Sequence, residues 1–161
     1  MALSENKKTV CVTDSASRTK KLGAALARKI LETGPGGKAR VLALRGGLGA
    51  GKTNFVQGFA KELGLKDRIS SPTFVILKKY SLTGRGRFKT FYHIDCYRLN
   101  SEKDLAVLGI AGILADPANI VAVEWPEIIG GLMPKEAVGV DFELVSRQKR
   151  RITIVLSAIK A

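Results

Sequence analysis

Apolar positions along the chain alternate between two periods, and the changes of period mark out the elements. TVCVT, Thr9 to Thr13, reads as a short first strand. In the following RTKKLGAALARKILE, Leu22, Leu26, Ile30 and Leu31 recur at helical spacing, and Ser15 or Ser17 can cap that helix. TGPGG stops it. ARVLALRG is a continuous apolar run, as expected of a strand buried on both faces. In KTNFVQGFAKELG, Phe55, Val56, Phe59, Ala60 and Leu63 share one side, which predicts a second helix with Gly64 at its C-terminal stop.

The second half reads differently. SSPTFVILKKYSL and FKTFYHIDCYRL are β-rich and are joined by TGRGR, which predicts a hairpin. SEKDLAVLGI opens with Ser101 and acids in its first turn, the pattern of a short helix. NIVAVEWPE is a buried strand ending in a carboxylate, and VGVDFELVS and RRITIVLSA form a second hairpin around RQK. Strands alternate with helices early and pair antiparallel late, which predicts a three-layer α/β domain with a mixed sheet. At 161 residues the chain is the length of one domain.

Composition narrows the function classes. Hydrophobic residues make up 45% and charged residues 25%, as in soluble globular proteins. No apolar run approaches the roughly 18 residues of a membrane span. MALSENKKTV lacks the apolar segment of a secretory signal, so a cytoplasmic protein is expected. Cys11 and Cys96 form no CxxC pair and read as buried thiols. A net charge of +13 points to a polyanion nearby: a nucleotide, RNA or an acidic protein.

RGGLGAGKT changes the picture most. Gly46-x-x-x-x-Gly51-Lys52-Thr53 satisfies the Walker A pattern, after an apolar strand and before an amphipathic helix. Phosphate oxygens can be surrounded by backbone N–H groups only where no side chain intervenes, and glycines allow that approach. The helix starting near Lys52 turns its N-terminal dipole toward the anion. Lys52 supplies a point charge to the outer phosphates, and the Thr53 hydroxyl can ligate Mg²⁺.

A magnesium triphosphate also calls for a carboxylate at the end of a neighbouring buried strand. Glu124 closes Ile120-Val121-Ala122-Val123, ahead of Trp125-Pro126. Asp95 lies in FYHIDCYR, where alternation sets Phe91, His93, Asp95 and Tyr97 on one face. A carboxylate on so aromatic a face has reason to sit near a cation. His93, the only histidine, reads either as structural or as orienting Asp95 or a water. Trp125 reads equally as packing or as lining the nucleotide site. Ser70-Ser71-Pro72-Thr73-Phe74 follows the loop's helix, and Thr73 is its candidate γ-phosphate switch residue.

GGLGAGKT, SSPTF, YHIDCYRL and VEWPE stand in the order and approximate spacing of the TsaE (YjeE) family, which the chain resembles from about Thr19 to Pro134. RTKKLGAALA is similar to that family's N-terminal T-x-x-L-G-x-x-L-A segment. The resemblance implies a small P-loop ATPase of tRNA threonylcarbamoyladenosine biosynthesis, slow alone and working with the TsaD and TsaB proteins on ANN-reading tRNAs. It implies ATP and Mg²⁺ as cofactors, with contact to tRNA indirect and direct contact left open. Residues Gly46, Gly47, Leu48, Gly49, Ala50, Gly51, Lys52, Thr53 and Asn54 would hold the nucleotide, with Thr19 and Trp125 close by. Glu124 would be the metal-linked acid beside Thr53, Asp95 the hydrolysis-linked acid, and Thr73 the switch. The family often has Asp at the position of Gly47 and a hydroxyl residue at that of Asn54. Gly47 removes a side chain and no phosphate-binding N–H; Asn54 removes a hydroxyl and leaves the metal ligand. The basic hairpin residues Lys78, Lys79, Arg85, Arg87 and Lys89 map to no family role.

Two other classes compete. A P-loop small-molecule kinase would need an acceptor pocket and an arginine-bearing lid, and little chain is left for both between the loop helix and VEWPE. A non-enzymatic RNA-binding module would account for the charge and leave Lys52-Thr53 without purpose. A GTPase is disfavoured, since no N-K-x-D or D-x-x-G signature is present.

Overall fold

The computed structural model describes residues 7–72 and 76–157. Seven strands form one mixed sheet in the order β1-β7-β6-β2-β5-β4-β3. The strands are β1 (Lys7–Thr13), β2 (Arg40–Arg45), β3 (Leu77–Ser81), β4 (Thr90–Asp95), β5 (Asn119–Glu124), β6 (Val138–Leu144) and β7 (Arg150–Leu156). β2 occupies the centre and runs parallel to both neighbours, β5 and β6. β4 continues the parallel core beside β5, while β3 and the β6–β7–β1 meander add antiparallel edges.

The continuous apolar runs take the central places, as burial on both faces requires. Alternate residues of β2 and β5 feed two separate cores. Leu42, Leu44, Ile120 and Ala122 pack with Leu26, Ile30, Phe55 and Phe59 of helices α1 (Ala16–Thr33) and α2 (Lys52–Glu62). Val41, Val121 and Val123 pack on the other face with Leu105, Ile110 and Leu114 of α3 (Glu102–Val107) and α4 (Ile110–Ala115). The result is the expected three-layer α/β arrangement. No helix among the described residues is long and apolar enough to cross a membrane.

α1 starts where expected: Ser15 is its N-cap and its side chain accepts from the Arg18 N–H. α1 and α2 approach closely through glycines. A Cβ on Gly23 would lie 2.1 Å from the Phe55 carbonyl oxygen, and one on Gly58 1.9 Å from that of Lys20. This pairing holds the start of α2, and with it the loop before it, against the first helix.

Three details differ from the sequence expectation. The short helix expected after Ser101 is α3, and a further short helix, α4, which the sequence reading did not include, follows it from Gly109, the α4 N-cap with a left-handed φ of 67°. That glycine is the corner between the two. Of the long SSPTFVILKKYSL run, only Leu77–Ser81 is strand, and 73–75 lie outside the described residues. Cys96 is buried as expected, whereas Cys11, near the sheet edge on β1, is only half-buried.

Candidate functional site

The loop leaving β2 enters α2 through backbone that side-chain-bearing residues rarely adopt. Gly46, Gly49 and Gly51 have φ of 148°, 75° and 104°. At Gly46 a Cβ would also stand 2.8 Å from the Phe142 carbonyl oxygen of β6, so the loop lies against that strand only because it begins with glycine. Gly51 is the N-cap of α2, and among the described residues no side-chain hydrogen bond caps the helix. The orphan N–H groups and positive dipole end of its first turn are therefore not spent on an internal acceptor side chain.

That helix start opens onto a cavity of about 480 Å³ lined by Leu48 to Asn54, Ser71, Asp95, Tyr97, Arg98, Glu124 and Trp125. Strand register explains why the two acids meet there. Leu44 at the end of β2 pairs with Glu124, and Glu124 pairs with Asp95 across β5 and β4. Both carboxylates are almost sealed, Asp95 at 3% and Glu124 at 4% exposure. The Asp95 carboxylate accepts the Tyr97 N–H at 2.9 Å, and this turn ends the strand. Tyr97 therefore does not continue the β4 face; it leaves the sheet and sets its ring 5.1 Å from that of Trp125.

Lys52 is buried, donates from Nζ to the Gly46 carbonyl, and lies 4.7 Å over the Trp125 ring. Trp125 has a positive φ of 55°, a conformation that costs a non-glycine residue roughly 1–2 kcal/mol. This turn sets the indole over the Lys52 ammonium and in the lining of the cavity with the two acids.

His93 corrects a sequence expectation. Fully buried on β4, it bonds Glu124 rather than Asp95, with Nε2 3.0 Å from Glu124 Oε1. A carboxylate accepts, so Nε2 carries the proton; Nδ1 has no partner among the described residues. The bond fixes the orientation of Glu124, as outer partners commonly do for metal-binding carboxylates.

Other expected residues fall less directly into place. Thr19 does not line the cavity. Buried at 1% exposure, it joins Thr13 by a 2.8 Å hydroxyl contact and lies behind Gly51. Gly46 and Gly47 shape the loop's entry. Thr73 lies outside the described residues. Sequence reasoning missed Tyr97, Arg98 and Arg150. The Arg150 guanidinium, at the start of β7, reaches the Gly49 carbonyl at 3.3 Å, a contact across 101 positions that no local pattern signals. The thiol of Cys96, next to Asp95, has its pKa pushed up to about 12, chiefly by burial and then by the charges of Asp95 and Glu127.

The donor set fits a polyphosphate and a magnesium ion. Backbone N–H groups and Lys52 suit phosphate, and the Thr53 hydroxyl and Glu124 suit a cation that takes one or two carboxylates and completes its shell from phosphate and water. Among the described residues no cluster of three or more His, Cys, Asp or Glu could hold a metal by itself.

A profile of the family described as "Threonylcarbamoyl adenosine biosynthesis protein TsaE" matches residues 13–152. The tRNA threonylcarbamoyladenosine biosynthesis protein TsaE of Treponema pallidum is 35% identical over 144 residues, covering 89% of this chain and 98% of its own. The protein of the same description from Borreliella burgdorferi is 39% identical over 97 residues, covering 60% and 67%. The crystal structure of Bacillus subtilis YdiB superposes with a TM-score of 0.74 at 26% identity, covering 94% of this chain and 87% of that one.

Proposed function

The chain belongs to the TsaE family, and from that premise we propose that it is the ATP-hydrolysing subunit of tRNA threonylcarbamoyladenosine biosynthesis. It works in tRNA modification, as its relatives are named for. In this reading residues 1–161 form one P-loop ATPase domain of the cytoplasm, slow alone and activated by TsaD and TsaB on ANN-reading tRNAs.

One observation carries the proposal. Leu48 to Gly51 of the glycine loop, Lys52 and Thr53 at the start of α2, Asp95 at the end of β4 and Glu124 at the end of β5 all open into one cavity. Three separate stretches of sequence converge on a place that suits a triphosphate.

The roles follow from the chemistry of each group. The backbone of residues 46–54 and the ammonium of Lys52 bind phosphate oxygens; Lys52 trades its Gly46 carbonyl and the Trp125 face for a stronger anionic partner. Thr53 and Glu124 hold Mg²⁺, and His93 keeps Glu124 aimed. When bound, the ion would neutralise charge developing on the phosphates. Asp95 lies one strand farther from the loop than Glu124 and is assigned to hydrolysis, by orienting water toward the outer phosphate. Thr73 senses that phosphate. Trp125 and Tyr97 wall the nucleotide side of the cavity.

The test is phosphate release from Mg-ATP by the chain alone and then with TsaD and TsaB. Stimulated release together with increased tRNA modification is the expected result. Unchanged release and unchanged modification, with the three proteins demonstrably associated, would overturn the proposal. Transfer of phosphate to a metabolite would favour a kinase instead.

A further inference from the structure

On the same face of the sheet as the loop helix, a second and larger concavity of about 1110 Å³ lies between α1 and the far end of α2. Five cations line it: Lys20 and Lys21 on α1, Lys61 in the last turn of α2, and Lys66 and Arg68 in the loop that follows. All five are exposed, and none forms an ion pair with a described residue. Two acids share the lining. Glu62 is engaged by Arg28 at 3.1 Å, and Asp67 lies close enough to Tyr80 to help raise its phenol pKa. At one end, beside Gly64, Arg85 of the β3–β4 hairpin donates to the Leu63 carbonyl at 2.9 Å. That hydrogen bond joins the groove to the basic hairpin for which the sequence offered no role.

We propose that this groove binds the sugar-phosphate backbone of RNA, and that tRNA is what occupies it; the identity of the RNA rests on the proposed place of the chain in tRNA modification. Charge selects a polyanion. The lining then separates RNA from an acidic protein. Among the described residues its apolar contribution is Ala24, Leu65 and Ile69, with no aromatic ring. Stable protein interfaces centre on aromatic or arginine anchors seated in pockets, and this groove offers no pocket of that kind. Base-reading single-strand sites need aromatic platforms, which are likewise missing among the described lining residues. Flexible lysines over a glycine-bearing floor suit phosphates recognised by position and helical shape. α2 spans about 16 Å from Lys52 to Glu62 at 1.5 Å per residue. The groove therefore reads RNA at one end of a helix whose other end holds the nucleotide site.

The test is fluorescence anisotropy of an end-labelled, unmodified tRNA transcript titrated with the full chain, without nucleotide, at several salt concentrations. Binding should weaken steeply as salt rises. The triple variant K61Q/K66Q/R68Q should bind at least tenfold more weakly. Its slope of log affinity against log salt should fall by roughly 2–3, at about 0.7–0.9 for each phosphate no longer neutralised. K20Q/K21Q, on the opposite wall, should act in the same direction, and thermal melts establish that both variants are folded. Wild-type tRNA affinity and salt slope in both folded variants would overturn the proposal. So would polyglutamate binding as tightly as tRNA with the same sensitivity to the variants, which would assign the groove to an acidic protein. Mg-ATP titration of the same samples keeps the two readings apart. A chain that binds nucleotide but no tRNA overturns the groove alone, and one that binds tRNA through these residues but no nucleotide sustains it while the ATPase reading fails.

Discussion

His93 Nε2 donates to Glu124 Oε1 across 3.0 Å, with the two side chains 0% and 5% exposed on adjacent parallel strands. Replacing His93 with leucine leaves a buried carboxylate without this donor. The expected cost is about 1–3 kcal/mol of stability, as for any buried group stripped of its partner. Magnesium-dependent nucleotide affinity should fall roughly 10- to 100-fold, the usual effect of removing an orienting outer partner. Urea denaturation measures the first and titration of Mg-ATP the second. Glutamine, which retains an N–H donor, should recover part of both. If leucine alters stability but leaves the magnesium dependence intact, the histidine is structural only.

Trp125 is the only tryptophan of the chain, and the Lys52 ammonium lies 4.7 Å from its ring. Nucleotide binding should draw the ammonium toward phosphate and change the tryptophan emission. Lys52→Ala should alter the emission of the free protein, lose hydrolysis, and weaken nucleotide affinity by about 1.5–3 kcal/mol, the worth of a charge-assisted hydrogen bond. Emission that is indifferent both to nucleotide and to this substitution would contradict the arrangement.

Asp95 and Glu124 are neighbours in register and are predicted to differ in role. Glu124→Ala should reduce the magnesium dependence of nucleotide binding, and Asp95→Ala should spare binding and lose turnover. Calorimetry paired with phosphate release separates the two. Equal effects of the two substitutions on both measurements would mean that the division of labour is wrong.

The approach of α1 to α2 gives a prediction about the scaffold. A Cβ on Gly58 would fall 1.9 Å from the Lys20 carbonyl oxygen, and backbone cannot yield as a side-chain tip can. Gly58→Ala should cost about 1–3 kcal/mol or more, as overpacking does, measured as a lower urea midpoint. Nucleotide affinity should fall with it, because the same close approach seats the start of α2.

Cys96 is held as a thiol, its pKa pushed up to about 12 from an ordinary 9.0, and it is buried. At pH 8, iodoacetamide should modify half-buried Cys11 and spare Cys96 until the protein unfolds. The raised value also fixes a sign for stability. The contribution is complete below the ordinary thiol pKa and is lost as pH climbs from 9.0 toward 12. Rapid modification of Cys96 in the native protein would contradict the burial of its thiol beside Asp95.

The parts of this molecule that were legible in the sequence are those set by local chemistry. Walker A spacing between an apolar strand and an amphipathic helix located the loop, and Glu124 announced itself by ending a run of buried aliphatics. Alternation put His93 and Asp95 on one face of β4, yet it could not say which acid the imidazole would meet. That depended on β4 pairing with β5 in the register that opposes Asp95 to Glu124. Arg150 was invisible for the same reason, since its hydrogen bond to Gly49 spans the sheet. α4 was missed because six residues, Ile110–Ala115, are too few to show a helical period, and it starts from a left-handed glycine, Gly109, rather than from a capping side chain.

The most direct test of the central claim is calorimetric titration of the purified chain with ATP, with and without magnesium. The account predicts saturable binding that magnesium tightens in the wild type, that Lys52→Ala weakens, and whose magnesium effect disappears in Glu124→Ala. Absence of binding, or binding indifferent to magnesium and to both substitutions, would contradict it.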